Sequence, residues 1–316
     1  MWFNNALIYH YELDSSCDLP TSLDSESLKP CPPHARFIYG WLPVQNEHLA
    51  HETAACSLIC MGKEERILPR GVIQQLLEER ILVLETERGQ EVRRSERSQM
   101  AEELEFELLP KSFCLQKRLP AILDTLTNRL IINTASQAQA SQLMTLLRKS
   151  IPSIRITPVN YIEQMSLRFA SWINNPSLLP SSFQLASDCL LFSLDDERKR
   201  FTCKGYELPA EEIVTLLSQG LAAAELSIIW NERIQFTLTQ DLTFKRIKCL
   251  DYLTDEFQEI HELKDPLLEQ DASLTLLAGE LRGLINDVVS ELGEDSAMTH
   301  MPPPPIRSQE SLSVGS

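Results

Sequence analysis

Between Gly62 and Phe113 the chain reads GKEERILPRGVIQQLLEERILVLETERGQEVRRSERSQMAEELEFELLPKSF, and no other stretch restricts the fold as strongly. Val72, Ile73, Leu76, Leu77, Ile81 and Leu84 recur at steps of three and four, the spacing that lines one face of a helix. From Glu85 to Glu103 only Val92 and Met100 are sizeable hydrophobes. The rest is mostly Glu, Arg, Gln and Ser, good helix formers that bury little. The pattern predicts a helical arm that leaves the body into water, turns near Gly89 and comes back. Pro69 and Pro110 bracket it, as residues that start or stop a helix should. The arm carries eleven Lys/Arg against twelve Asp/Glu between Lys63 and Arg118. The residues alone read as a solvated helix face laced with i,i+4 pairs. The functional alternative is an appendage that meets a second copy of itself or a nucleic acid.

The remainder is ordinary globular material. A chain of 316 residues, 43% hydrophobic and 23% charged, can bury a sizeable core in two domains or in one with an elaboration. It has no apolar run of about eighteen residues that would span a membrane. The opening MWFNNALIYHYELD lacks a basic leader and a small-residue cleavage site, so a cytoplasmic protein is expected. Eight cysteines are scattered with no CxxC, which fits buried thiols in a reducing compartment and not a disulfide framework.

Aromatic and branched runs place strands over 2–13, 37–42, 56–61, 129–134 and 154–159. Ser136 is expected to cap a helix over 137–149. Beyond Pro176 and Pro180 the pattern gives a hairpin (183–194 and 200–207), a helix between Pro209 and Gly220, and three more strands over 225–249. A helix from 271 to 292 follows, with Leu274, Leu277, Leu281, Leu284, Ile285 and Val288 as its stripe. In RIQFTLT, Ile234, Phe236 and Leu238 share one face. In TFKRIKC, strict alternation sends Phe244, Arg246 and Lys248 to one face and Lys245 and Ile247 to the other, as on an edge strand. The fold class is therefore α+β, mixed α/β, with two sheet-and-helix domains and a projecting charged arm. The expected layout is 1–69 with 119–175 as a central domain, 70–118 as the arm, 176–292 as a second domain and 293–316 as a disordered tail.

Chemistry is harder to find. His48, His51, Cys56 and Cys60 could be imagined around zinc, but the usual CxxC turn is missing and a strand would turn both cysteines to one apolar face. Nucleophile elbows and phosphate-binding loops are absent, so neither a catalytic centre nor a cofactor is expected. The formal charge of −16 looks hostile to a polyanion, yet its distribution is uneven. Residues 1–110 and 251–316 are strongly acidic, while 111–250 hold 16 basic against 12 acidic residues. At physiological salt, charges more than about 8 Å apart are largely screened, so a local basic surface can still hold phosphate. Lys63, Arg66, Arg148, Lys149, Arg233, Lys245, Arg246 and Lys248 are the expected phosphate contacts. The competing class is a protein-binding adaptor that acts through the charged arm and the acidic carboxyl end, with no DNA contact.

The chain resembles the family of recombination-associated RdgC proteins. The resemblance rests on WFNNALIY at the start, KEERILPRGVIQQLLE, LLPKSF, LLRKS, FQL, WNERIQF, LTFKRIK and LAGELRGLI, in order and nearly to Gly293. It implies a homodimer of two crescent subunits closing into a ring. Duplex DNA would pass through the positively charged hole without sequence preference, limiting loading of the RecA recombinase on the nucleoid. It also implies that Phe113, in LLPKSF, and Lys111 two residues before it serve the contact that closes the ring. The residue-level alternative for Phe113 is packing at a helix end. FTCKGYEL (201–208) departs from the family in having Lys204 alone where a pair of lysines can precede a Gln, and the PPPP tail lies outside the match.

Overall fold

The computed structural model describes residues 2–14, 17–159, 164–196 and 198–292; the tail expected to be disordered lies outside them. In chain order the first elements are β1 (Leu7–Glu12), α1 (Leu19–Asp24), β2 (Phe37–Trp41), β3 (Ala50–Glu52) and β4 (Cys56–Ile67). Next come α2 (Arg70–Arg88), α3 (Arg94–Leu108), β5 (Phe113–Asp124), β6 (Arg129–Ile132), α4 (Gln137–Ser150) and β7 (Arg155–Pro158). The later elements are α5 (Met165–Asn174), β8 (Phe183–Ser193), β9 (Arg200–Cys203), α6 (Glu211–Ser218), β10 (Leu221–Trp230), β11 (Ile234–Thr239), β12 (Phe244–Cys249), α7 (Asp251–His261) and α8 (Pro266–Leu292). The mixed α/β class holds. Among the described residues two compact units emerge: those within 2–7, 13–154 and 264–278 form one, and those within 8–12, 155–263 and 279–292 the other.

In the first unit, strands run β2-β4-β5-β6, with β3 also on β4. The long antiparallel ribbon of β4 and β5 is its spine, paired from Cys56 opposite Asp124 to Ile67 opposite Phe113. The near half of β4 is apolar and buried through Gly62, and the far half, Lys63 to Ile67, is half-buried or exposed. Ser136 caps α4 as expected, its side chain accepting a hydrogen bond from the Gln139 amide. The α4 stripe of Ala140, Leu143, Met144 and Leu147 is buried. His51 does not join a metal cluster: its Nε2 lies 2.5 Å from Asp271 Oδ1, while Cys56 and Cys60 are buried.

The arm is a helical hairpin, α2 and α3, joined through Gly89 in the left-handed conformation (φ 67°), which a side chain would strain. Three ion pairs tie the two helices together. Arg80 bonds Glu107 and Arg88 bonds Glu96, each at 2.5 Å, and Arg97 lies 3.7 Å from Glu85. Only Ile73, Ile81, Val92 and Leu104 are buried in the hairpin; Val72, expected inward, is 43% exposed. Burying four such side chains yields about 1.5–3 kcal/mol each, against a backbone ordering cost of about 1–2 kcal/mol per residue. Such an arm needs anchoring at its root. Arg66 supplies it by donating to the carbonyls of Cys31, Pro32, Leu109, Pro110 and Ser112 at 3.0–3.5 Å. Arg36 bonds Glu105, and His34 stacks on Phe106 at 3.9 Å. The arm is also shorter than its sequence reading: α3 ends at Leu108, and Phe113–Arg118 belong to β5.

In the second unit β1 and β7 pair antiparallel, and a five-stranded sheet runs β12-β11-β10-β8-β9. One face is apolar: Leu226, Ile228 and Trp230 of β10 stand opposite Leu238, Phe236 and Ile234 of β11, all buried. Helices α5 and α6 pack on β10, and Trp230 donates to Asp287 of α8 at 2.7 Å. Arg168 of α5 donates to the Glu291 carbonyl at 2.9 Å. No helix among the described residues is long and apolar enough to cross a membrane.

Candidate nucleic-acid interface

The other face of the five-stranded sheet is polar, with Glu225, Ser227 and Ile229 of β10 opposite Thr239, Thr237 and Gln235 of β11. What β12 adds to it departs from strict alternation. A bulge shifts the β11–β12 register between Gln235 and Thr237, and Arg246 takes a positive φ of 52°. One extra residue in a strand restarts its alternation. Phe244 and Ile247 therefore both turn inward, 0% and 1% exposed. Lys245 stands opposite Thr237 and Lys248 opposite Gln235, and directly opposed residues of an antiparallel pair share a face. Arg246 donates to Thr237 Oγ1 at 3.0 and 3.2 Å. All three cations thus stand on the polar face of an edge strand. Two acids stand nearby: Glu225, 2.8 Å from Lys245 and 3.9 Å from Arg246, and Asp188, which lines the adjoining pocket. Beside them is a pocket whose lining includes Thr202 and Lys204 of the β9 side, Thr237 and Arg246.

A second basic locus lies in the first unit, on the far half of the β4–β5 ribbon. Lys63 and Lys117 are directly opposite each other and both hold the Glu65 carboxylate. Lys117 and then Lys63 keep that carboxyl below its ordinary range. The Lys63 ammonium also sits 4.7 Å from the centre of the Phe37 ring, a cation–π distance. Further along the same face the ribbon exposes Ile67, Leu115 and, at 84%, Phe113. Phe113 therefore starts a strand in solvent and does not pack a helix end. Lys111 is exposed in the single turn before it and adds to Arg80 in holding the Glu107 carboxyl low.

Not every expected phosphate contact has a guanidinium to spare. Arg66 is taken up by the five carbonyls at the arm root. Arg233 is clamped by Glu280 through Nε and Nη2 (2.7–3.1 Å) and by Glu256 through Nη1 and Nη2 (2.7–2.9 Å), and its pKa is driven upward, by Glu256 first. In both, carboxylates or carbonyls occupy the positions a phosphate would need, which supports a structural role. Arg148 and Lys149 lie exposed in the last turn of α4, where positive charge complements the helix dipole, and Lys149 bonds Glu26 at 2.7 Å. The sequence reading passed over Lys117 as a contact, although the KSFCLQKR segment carries it two residues from Leu115 on a strand face. Among the described residues no three His, Cys, Asp or Glu side chains are grouped to hold a metal ion.

Comparison with known proteins adds a lineage to this geometry. Residues 1–295 match a family model described as "Putative exonuclease, RdgC". Over 300 residues the chain is 28% identical to the recombination-associated protein RdgC of Pseudoalteromonas translucida, covering 93% of this chain and 98% of that protein. It is 29% identical over 302 residues to proteins of the same name from Salmonella newport and Salmonella typhimurium, covering 94% of this chain and 99% of each.

Proposed function

Because the chain belongs to the RdgC family, whose curated members are named for recombination, we propose that it binds duplex DNA without reading base sequence. Two copies close around the duplex and so lengthen its residence. The observation that supports this most directly is the β12 bulge, which gathers Lys245, Arg246 and Lys248 on the polar face of an otherwise acidic protein. A sheet face bearing cations suits phosphate contacts, which orient a protein on DNA but carry no base information. Lys63, Lys117, Arg148 and Lys149 add contacts from the first unit. Phe113, with Ile67 and Leu115 beside it and Lys111 nearby, supplies an exposed apolar surface for the contact between copies. On this reading the dimer sits on the nucleoid in the cytoplasm and limits loading of the RecA recombinase by occupying the same DNA. It holds DNA and does not cut it.

Fluorescence anisotropy with several unrelated duplexes tests the reading. Affinity should be equal across sequences and fall steeply with salt, log K against log salt having a slope of about −0.9 per phosphate neutralised. Lys245→Ala and Lys248→Ala should each make that slope shallower. An affinity indifferent to salt, or confined to one sequence, sinks the proposal. Release of nucleotides from an end-labelled duplex in magnesium would favour the exonuclease of the family description instead.

A further inference from the structure

A pocket of about 140 Å³ lies in the first unit where the β4–β5 ribbon meets α4, lined by Tyr39, Lys63, Lys117, Arg118, Asn133, Gln139 and Gln142, with Met61 and Leu119 beside them. Its amides are oriented by bonds made elsewhere. Asn133 Oδ1 accepts from the backbone amides of Asn4 and Asn5 at 3.1 and 3.2 Å. Gln139 Oε1 accepts from the Thr134 hydroxyl at 2.5 Å. With both lone pairs of Asn133 Oδ1 taken, that amide has its NH₂ left, a donor-only group, while Gln139 keeps its NH₂ and one acceptor site. The two lysines bring positive charge that their shared Glu65 only half neutralises, and Arg118 is steadied by donating to the Pro43 carbonyl at 2.7 Å. The surround is thus rich in donors and net positive, whereas a pocket for a neutral polar ligand would mix donors with acceptors.

We propose that this pocket seats a single phosphoryl group, with Lys117 and Lys63 supplying charge and the Asn133 and Gln139 amides supplying oriented donors. The group's source is either nucleic acid or free phosphate. Where it is nucleic acid, the inference rests on the DNA-binding reading and assigns to it one discrete phosphate position away from β12.

The test uses the full chain with ¹⁵N in Asn and Gln side chains, so that the donors themselves are observed. Inorganic phosphate is titrated at constant ionic strength against chloride. The Asn133 and Gln139 NH₂ signals should move and saturate, and Lys117→Gln, at an exposed position, should weaken binding about tenfold or more, the effect of losing one charge-assisted hydrogen bond. Lys29→Gln, at an exposed position outside the pocket, serves as the control. A duplex with 5′-phosphates and one with 5′-hydroxyls then separate the sources. Equal movement with both marks a backbone phosphate, movement with the first alone a terminal one, and movement with neither a free anion. Shifts that stay linear, match those caused by chloride or ignore Lys117→Gln overturn the pocket. If the amides stay still with inorganic phosphate as well as with duplex while duplex binds, the pocket is lost and the DNA reading stands. If phosphate saturates the pocket while no duplex binds, the reverse holds.

Discussion

Removing the charge of Arg233 should unfold the second unit more readily and leave DNA affinity of the folded protein unchanged. The substitution Arg233→Met keeps most of the stem and deletes five charge-assisted N–H contacts to two carboxylates. The two halves of the clamp differ in environment. The Glu256 side chain is 43% exposed, so its half is screened and worth about 0–1 kcal/mol. Glu280 is only 13% exposed and Arg233 25%, which approaches the buried case, where stranding one partner costs about 3–5 kcal/mol. Discounting for the remaining water contact gives a total of about 2–4 kcal/mol. With an m-value of about 2 kcal/mol/M for urea, the midpoint should drop by about 1–2 M. Trp172 and Trp230, both buried in the second unit, report the transition by fluorescence. A double-mutant cycle should assign most of the coupling to Glu280 and little to Glu256. A stability loss of less than about 0.5 kcal/mol together with weaker DNA binding refutes the clamp and returns Arg233 to the phosphate contacts.

Four further outcomes follow from the same geometry. Phe113→Ala should leave the folded circular-dichroism signal intact, since the ring is 84% exposed, and weaken self-association in analytical ultracentrifugation; loss of fold would make it core. The Glu256 carboxyl, held low by Arg233, and Glu65, held low by Lys117 and Lys63, have folded pKa values below the unfolded one. Their stabilisation is complete above about pH 4.3 and lost as pH falls through the folded values, so urea midpoints should decline on acidification, less so in Arg233→Met. Gly40→Ala should be severe, because a Cβ there would lie 2.4 Å from Leu28 Cα, whereas Gly71→Ala, in open space on α2, should stabilise by about 0.5–1 kcal/mol in thermal melts. Among the thiols, exposed Cys114 should react first with a disulfide reagent and Cys189, pushed up to about 12 chiefly by burial, among the last.

The elements legible in the sequence were those whose signal is local and strong. Ser136 before an apolar stripe gave α4, Gly89 between two helical runs gave the arm's turn, and alternation gave the inward face of β11. Segment 113–118 was read as arm because a strand exposed along its whole far half loses the apolar alternation that identifies strands. The bulge at Arg246 has neither Gly nor Pro to announce it, so alternation placed Arg246 beside Phe244 when the fold separates them. Helices α5 and α7 went unread. What Arg66 and Arg233 hold is illegible for one reason: their partners lie 23 to 47 residues away in sequence, and no local pattern encodes which cation a distant carboxylate or carbonyl will claim.

The arm departs from Ile67 and returns at Phe113, two residues directly opposed on one ribbon. Its length is therefore invisible to the sheet beneath it. Whole helical turns can be added to or removed from both limbs, like extending a ladder from a fixed hinge, without disturbing a single strand pairing. Evolution is free to tune how far this protein reaches while the machinery that grips stays where it is.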